Sequence, residues 1–396
     1  MKSSRPLVRP ILYLPNLSDY RDRANLFGHV IRCAGSEGVL VTSRLDVDPT
    51  ELGLEDINII FAPPRWRFPG RSMFGASRTV GALLQDGDFN VVHDTFGHLL
   101  PLMFRKGKYP NTVFTSSLYI LAEWDLRRWI WPRHHLGFLR HHNLRPLVTR
   151  TLTQRLQARL ADAIVVQAPG LIDRFVEITG VDRSRVEWIS NTVIAPDIPP
   201  VRPRPREGPI TLLSVGGFAV GKGADKVLSL LARARDIGLD LRLKVLGGVG
   251  PPDGNHLMER VENENLQDVF TVDSRVPADR VGEWYASADW LFHVSEYDGS
   301  PRVVLEALAR GLPVIGSRHP GIQVIDPDDD FIMYADPWNP DAVLDEIIRT
   351  RSDPAEYNRR ANIGREFILE NFSSRAVAPH YIDLYSRLLS VREGHV

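Results

Sequence analysis

Two acids and a run of small and apolar residues carry the clearest chemistry in the chain. They stand in DGSPRVVLEALARGLPVI, residues 298–315, which has the residue types of a loop, a helix and a strand. Ser300 suits a helix N-cap and Pro301 the first helical position, and Gly311 followed by Pro313 ends the helix. Free backbone N–H groups and the positive end of the helix dipole would then face Asp298, Gly299 and Ser300, an arrangement that suits a diphosphate. Glu306 would lie roughly 7 to 8 Å along the helix axis from Pro301 at ~1.5 Å per residue. That matches the offset from a diphosphate to its ribose, whose hydroxyls a carboxylate accepts, while Asp298 could receive a group beyond the other phosphate. The spacing of Arg302, Glu306 and Arg310 equally fits a solvated ladder of ion pairs, each contributing a few tenths of a kcal/mol.

The elements that must hold these residues are legible on both sides. A strand over Trp290–Val294 leads into the acidic segment. Upstream, the strand Thr211–Val215 runs into GGFAVGKGADKVLSLLARA, where Gly216, Gly217, Gly221 and Gly223 permit a tight turn and Lys222 stands beside any phosphate at the following helix. It is neither a G-x-x-x-x-G-K-[ST] loop nor a G-x-G-x-x-G fingerprint. Further strands are expected at Leu241–Leu246 and Val269–Val272, with helices from His256 and over Asp279–Ala288. The turn DSRVP (273–277) and the loop SRHPG after Ile315 fall at strand ends.

The first half alternates in the same way. Strands are expected over residues 9–17, 39–44, 57–62, 90–93, 112–115, 163–167 and 186–189, with helices over Tyr20–Cys33 and Ser77–Gln85. PPRWRFPGR (63–71) is loop, and IPPVRPRPREGP (198–209) is too rich in proline for a regular element and marks a linker. Such alternation predicts parallel α/β sheets, which bind ligands at the carboxyl ends of their strands.

With 396 residues, 43% hydrophobic and 24% charged, the chain reads as an ordinary globular protein of two domains. Its single cysteine, Cys33, excludes an intramolecular disulfide framework and a Cys-based zinc site. No apolar run approaches a membrane span, and Pro15 breaks the opening one, so neither a signal peptide nor a transmembrane helix is expected. The net charge of −1 hides an excess of cations in the first half and of acids in the second. Residues 126–161 hold eight arginines and no acid, interleaved with Trp129, Trp131 and Phe138. Such a segment fits an interfacial membrane patch, an anionic-acceptor site, or a packed core with a solvated helical face. Nucleic-acid binding has no motif behind it. The acids of D46-V-D48 and DPDDD (326–330) read as solvated turns and not as metal ligands.

SEYDGSPRVVLEALARGLPVIGS resembles the E-x7-E segment of the family 4 retaining glycosyltransferases, with Asp298 in the first acidic position and Glu306 in the second. The glycine-rich turn resembles that family's diphosphate-gripping segment. Lys222 and Gly223 match, whereas Gly217 stands where an Arg is expected, and Arg302 is the candidate substitute. The resemblance implies a GT-B fold of two Rossmann-like domains facing across a cleft. An acceptor-side domain would span 1–200, a nucleotide-sugar domain 201–372, and a helix over 373–396 would cross back. It further implies a metal-independent hexosyltransferase with no cofactor, using a UDP- or GDP-linked donor and acting on a glycan, a lipid-linked sugar or a small molecule. The donor would be held by Gly216, Gly217, Lys222, Arg275, Val276, Asp298, Gly299, Ser300, Pro301, Arg302 and Glu306, the base lying at 273–277. Catalytic contributors would be Asp298, Lys222, Ser116, at the position of the family's sugar-side His, and His93, with His98 as a further imidazole. A cytoplasmic location, with peripheral membrane contact through residues 124–160, goes with this reading. A GT-B nucleotide-binding scaffold without chemistry is the alternative.

Overall fold

The computed structural model describes residues 6–63, 71–95, 97–117, 144–194, 208–249, 254–274, 276–296, 298–335 and 337–393. The chain divides into two compact units, one of residues 1–123, 144–194 and 372–396 and the other of residues 124–143 and 195–371.

The described strands of the first unit are β1 (Pro10–Leu14), β2 (Val39–Thr42), β3 (Ile59–Phe61), β4 (Val91–Thr95), β5 (Val113–Ser117), β6 (Ala163–Val166) and β7 (Val186–Trp188). They form one parallel sheet in the order β3-β2-β1-β4-β5-β6-β7. Its strands are short apolar runs such as PILYL and AIVV, buried throughout, as expected where helices cover both faces of a parallel sheet. The helices include α1 (Arg21–Cys33), α2 (Arg71–Asp86), α3 (Leu100–Met103), α4 (Leu144–Leu160) and α5 (Ile172–Thr179). The chain's last long helix, Ser374–Glu393, belongs to this unit. Its Tyr381, Leu384 and Tyr385 enter the same core as Leu26, Phe27 and Val30 of α1, and Tyr381 accepts from buried Arg23 at 2.7 Å.

The second unit repeats the scheme with β8 (Ile210–Val215), β9 (Leu241–Leu246), β10 (Phe270–Asp273), β11 (Trp290–His293), β12 (Val314–Gly316) and β13 (Ile332–Tyr334). The order is β10-β9-β8-β11-β12-β13, again all parallel. Helices α6 (Ala224–Asp236), α7 (Gly254–Asn263), α8 (Val281–Ala286), α9 (Arg302–Ala309), α10 (Pro320–Gln323), α11 (Pro340–Ser352) and α12 (Pro354–Phe372) follow. Successive strands run outward from β8 to β10, and the chain then returns to start again at β11. The switch point, where a crevice opens beyond the carboxyl ends of the strands, therefore lies between β8 and β11.

Two local expectations need correction. The acidic-segment helix begins one residue late: Pro301, extended at ψ 105°, is the N-cap without a side-chain cap, and its carbonyl accepts the first helical bond from Val304. Helix α2 begins at Arg71 and not at Ser77, because Gly75, a poor helix former, masks the periodicity of its first turns. Among the described residues no helix is long and apolar enough to cross a membrane. The segment 124–160 falls largely outside the described residues.

Candidate functional site

The site is built from the three loops that leave β8, β11 and β12. After β8 the chain turns through Gly216 at φ +107° and closes a short 3-10 turn over Val220–Lys222, with Gly223 left-handed at φ +83°. Both backbones beside this turn come too close for a side chain. A Cβ on Gly223 would stand 2.4 Å from the Val294 carbonyl, and one on Gly247 would stand 2.0 Å from that of Gly216. The glycines thus let the β8 loop lie directly against the β9 and β11 loops. A backbone bond from Glu296 to the Gly221 carbonyl at 3.1 Å ties the β8 and β11 loops together.

Across that junction Lys222 Nζ donates to Asp298 Oδ2 at 2.8 Å. Lys222 is 45% exposed at its side chain and Asp298 21%, so the cation faces solvent above a mostly buried acid. Burial opposes ionisation of Asp298, but the His293 imidazole and the Lys222 ammonium outweigh it and hold the carboxyl far below its ordinary range. His293 Nε2 lies 3.6 Å from Asp298 Oδ2 and 3.3 Å from Ser295 Oγ. Ser295 Oγ also lies 3.2 Å from His319 Nε2, and its carbonyl accepts from Ser317 Oγ. Burial lowers His319 to about 4, with His293 adding to the effect, so its ring is neutral at pH 7. After β12, a Cβ on Gly321 would meet the Asp298 carbonyl at 2.3 Å, which brings the third loop against the acidic one.

Glu306 stands at the middle of α9, half-buried. Its Oε2 accepts from the fully buried Tyr285 of α8 at 2.7 Å. Arg310 does not complete a ladder: it donates to the Glu306 backbone carbonyl at 2.9 Å and stacks 4.9 Å over the Tyr285 ring. No ion pair joins Glu306 to Arg302 or Arg310 among the described residues, so the solvated-ladder reading of this helix is replaced by a fixed carboxylate.

The remaining expected donor residues are placed as follows. Gly216, Gly217 and Arg302 are exposed, and a Cβ on Gly217 would meet nothing within 4 Å. Val276 and Gly299 are half-buried, and Ser300 and Pro301 are buried. Arg275 lies outside the described residues. In the first unit, His93 and Ser116 lie in the interior, both 0% exposed. The His93 ring nitrogens contact Thr115 Oγ1 at 2.8 Å and Ser117 Oγ at 3.0 Å. Its faces pack on Phe27, Tyr381 and Tyr385, and burial, with a lesser push from Arg23, depresses its pKa to about 3. Ser116 Oγ donates to the Asp94 carbonyl at 3.1 Å and accepts from Gln157 Nε2 at 2.6 Å. The polar atoms of both expected contributors are consumed by the fold. His98 is half-buried, with Nδ1 3.0 Å from the Thr95 carbonyl.

Sequence reading missed His293, His319 and Tyr285. The first two sit at or just beyond the carboxyl ends of β11 and β12, the position where a parallel sheet gathers its ligand-side groups, and that placement was the available signal. Among the described residues no group of three or more His, Cys, Asp or Glu assembles as a metal site. Asp46 instead accepts from Ser18 and Asp326 from the backbone at residues 330–332.

Residues 200–367 match the family model described as Glycosyl transferases group 1. Among curated proteins, the chain is 26% identical over 192 residues to an MMP alpha-(1->4)-mannosyltransferase of Mycolicibacterium hassiacum, covering 47% of this chain and 46% of that protein. It is 25% identical over 178 residues to the N-acetyl-alpha-D-glucosaminyl L-malate synthase of Bacillus anthracis, covering 45% of each. The chain thus spans about half the length of the curated relatives it matches. Among solved structures, sucrose-phosphate synthase from Thermosynechococcus elongatus aligns with a TM-score of 0.71 at 18% identity over 97% of this chain and 100% of that one. Anabaena HepE in complex with UDP aligns with a TM-score of 0.67 at 12% identity over 96% and 100%. The chain therefore carries the GT-B fold of these structures, and its residues 200–367 match the glycosyl transferases of group 1.

Proposed function

We propose that the protein is a family 4 retaining glycosyltransferase that moves a hexose from a UDP- or GDP-linked donor to an acceptor glycan, lipid-linked sugar or small molecule. The observation that carries this reading is the pairing of Lys222 with Asp298 at the switch point of the second unit, 2.8 Å apart, with Glu306 fixed farther along the next helix. Lys222 and the backbone N–H groups at the start of α9 offset charge on a departing diphosphate, Arg302 adding the second cation that Gly217 does not supply. Glu306 accepts the ribose hydroxyls and Asp298 those of the transferred sugar. In a front-face retaining reaction the acceptor oxygen attacks on the side from which the diphosphate leaves, so the enzyme supplies positioning and electrostatics and no nucleophile. The reaction as proposed needs no metal. HepE, which shares the fold, is known in complex with UDP and with UDP-glucose, which supports a nucleotide-sugar donor. Peripheral attachment through residues 124–160 at the cytoplasmic face of a membrane completes the proposal.

The test is incubation with UDP-, GDP- and ADP-sugars, with and without candidate acceptors, reading released nucleotide. Acceptor-dependent release is the expected result. Thermal stabilisation by a nucleotide with no turnover on any acceptor would replace the transferase with a nucleotide-binding protein.

A further inference from the structure

Behind Asp298 lies a buried polar chain, and the proton that matters in it is the one on His293 Nε2. Ser295 Oγ has one proton and two imidazole neighbours, His293 Nε2 at 3.3 Å and His319 Nε2 at 3.2 Å. It can donate to at most one of them, and its two lone pairs can accept from either or both. The neutral His319 can receive at Nε2, and the ionised Asp298 calls for a proton on the nitrogen that faces it. An Nε2–H on His293 directed at Ser295 Oγ and Asp298 Oδ2 is compatible with either orientation of the Ser295 hydroxyl toward His319. All three members are at least nine-tenths buried, at 6% for His293, 1% for Ser295 and 5% for His319, and the Ser317 bond to the Ser295 carbonyl pins the hub. The 3.6 Å from His293 to Asp298 exceeds a formed hydrogen bond, so the ring acts on the carboxylate through its dipole, with room to tighten. Lys222 and His293 both address Oδ2, which leaves Oδ1 without a partner among the described residues.

We propose that His293 is a positioning residue: its Nε2–H, together with Lys222, keeps Asp298 turned so that Oδ1 is presented to a hydroxyl of the sugar carried by a nucleotide-sugar donor. This inference rests on the nucleotide-sugar reading of the site. It separates the two parts of the donor, because the nucleotide is held by Lys222 and Glu306 while the sugar's share of the affinity depends on Asp298 and hence on His293.

The test uses the full chain and three proteins: the parent, His293→Phe, which keeps a ring and removes the donor, and His293→Gln, whose amide nitrogen can take the place of Nε2. Calorimetric titration with UDP against UDP-glucose and UDP-N-acetylglucosamine, and with GDP against GDP-mannose, gives the factor by which the sugar improves binding. We expect that factor to fall about tenfold in His293→Phe, most of it to return in His293→Gln, and affinity for bare UDP or GDP to stay within about twofold throughout. Thermal midpoints establish that both variants are folded. A sugar that adds nothing in the parent, variants that match the parent, or Phe and Gln variants that lose the factor alike would each overturn the inference. The last outcome would make His293 a packing residue. A parent that binds neither UDP nor GDP overturns the nucleotide-sugar reading itself, and this inference with it.

Discussion

Removal of the Glu306 carboxylate is the sharpest perturbation available. Its Oε2 is occupied by the Tyr285 hydroxyl at 2.7 Å, and its Oε1 has no partner among the described residues, so one oxygen is left for a ribose hydroxyl. A hydrogen bond to a charged group contributes roughly 1.5 to 3 kcal/mol, which is about a 10- to 150-fold change in Kd at ~1.4 kcal/mol per tenfold. Glu306→Ala should weaken UDP or GDP binding by that factor. The same change takes away the nearer acceptor of the buried Tyr285 hydroxyl, leaving the Val303 carbonyl at 3.5 Å, a cost of about 1 kcal/mol, so the thermal midpoint should fall by a few degrees without loss of cooperativity. Tyr285→Phe separates the two effects. It removes the same hydrogen bond but leaves the carboxylate in place and no orphaned hydroxyl behind, so it should cost less stability than Glu306→Ala and change nucleotide affinity less than about threefold. Isothermal titration of the three proteins with UDP and GDP, beside their melting curves, is the measurement. Nucleotide affinity of Glu306→Ala within about twofold of the parent would refute the ribose assignment and leave Glu306 as a tether for α8.

Three further outcomes follow from the same geometry. Gly217→Arg, at an exposed position open on all sides, should add a cation beside the diphosphate and tighten UDP or GDP binding about three- to tenfold, with a steeper dependence on salt. An unchanged Kd would mean that the turn does not face the phosphates. Gly247→Ala sets a Cβ 2.0 Å from the Gly216 carbonyl at a φ of +141°, and should destabilise the second unit by about 2 to 4 kcal/mol in denaturant titration, whereas Gly217→Ala should be neutral. Burial depresses His93 to about 3, below the ~6.5 of an unfolded chain. The unfolded state therefore binds the extra proton between those values, and stability is lost as pH falls below about 6.5. The neighbouring Asp94, raised by burial to about 7, acts in the opposite sense over the same range, so the measurement is a difference: His93→Asn should gain thermal midpoint relative to the parent as pH falls from about 7 to about 5, and an equal slope in both proteins would exclude His93 as a source of pH dependence.

Much of this architecture is legible from local pattern. The strand Leu241–Leu246 is read to the residue because its alternation of apolar residues with Arg242 and Lys244 is bounded by glycines on each side. β4 is harder to delimit, since it continues through Asp94 and Thr95, polar residues that are nonetheless 0% exposed. Burial of Asp94 raises its pKa to about 7 against the backbone bonds from Leu99 and His98, and no sequence window reveals that a carboxyl will sit inside a sheet. Long-range pairing is hidden for the same reason. Lys222 and Asp298 are 76 residues apart and meet only because β11 is laid beside β8. The Glu306 partner Tyr285 comes from the preceding helix, so the i, i+4 spacing with arginine misdirects the local reading. The interior setting of His93 depends on aromatic rings from α1 and from Ser374–Glu393, the latter nearly three hundred residues farther along the chain.

The return of the last helix to the first unit has a consequence for biosynthesis. The described strands of the second unit, β8 to β13, all come from one continuous stretch, residues 210–334, so that unit can pair its sheet without waiting for chain synthesised later. The first unit waits: Arg23 and Tyr381, 358 positions apart, can meet only when the helix Ser374–Glu393 has left the ribosome. The unit whose sheet is synthesised earlier is thus completed after the other, and its α1 face, bare in the interval, is a surface that nascent-chain chaperones have reason to cover.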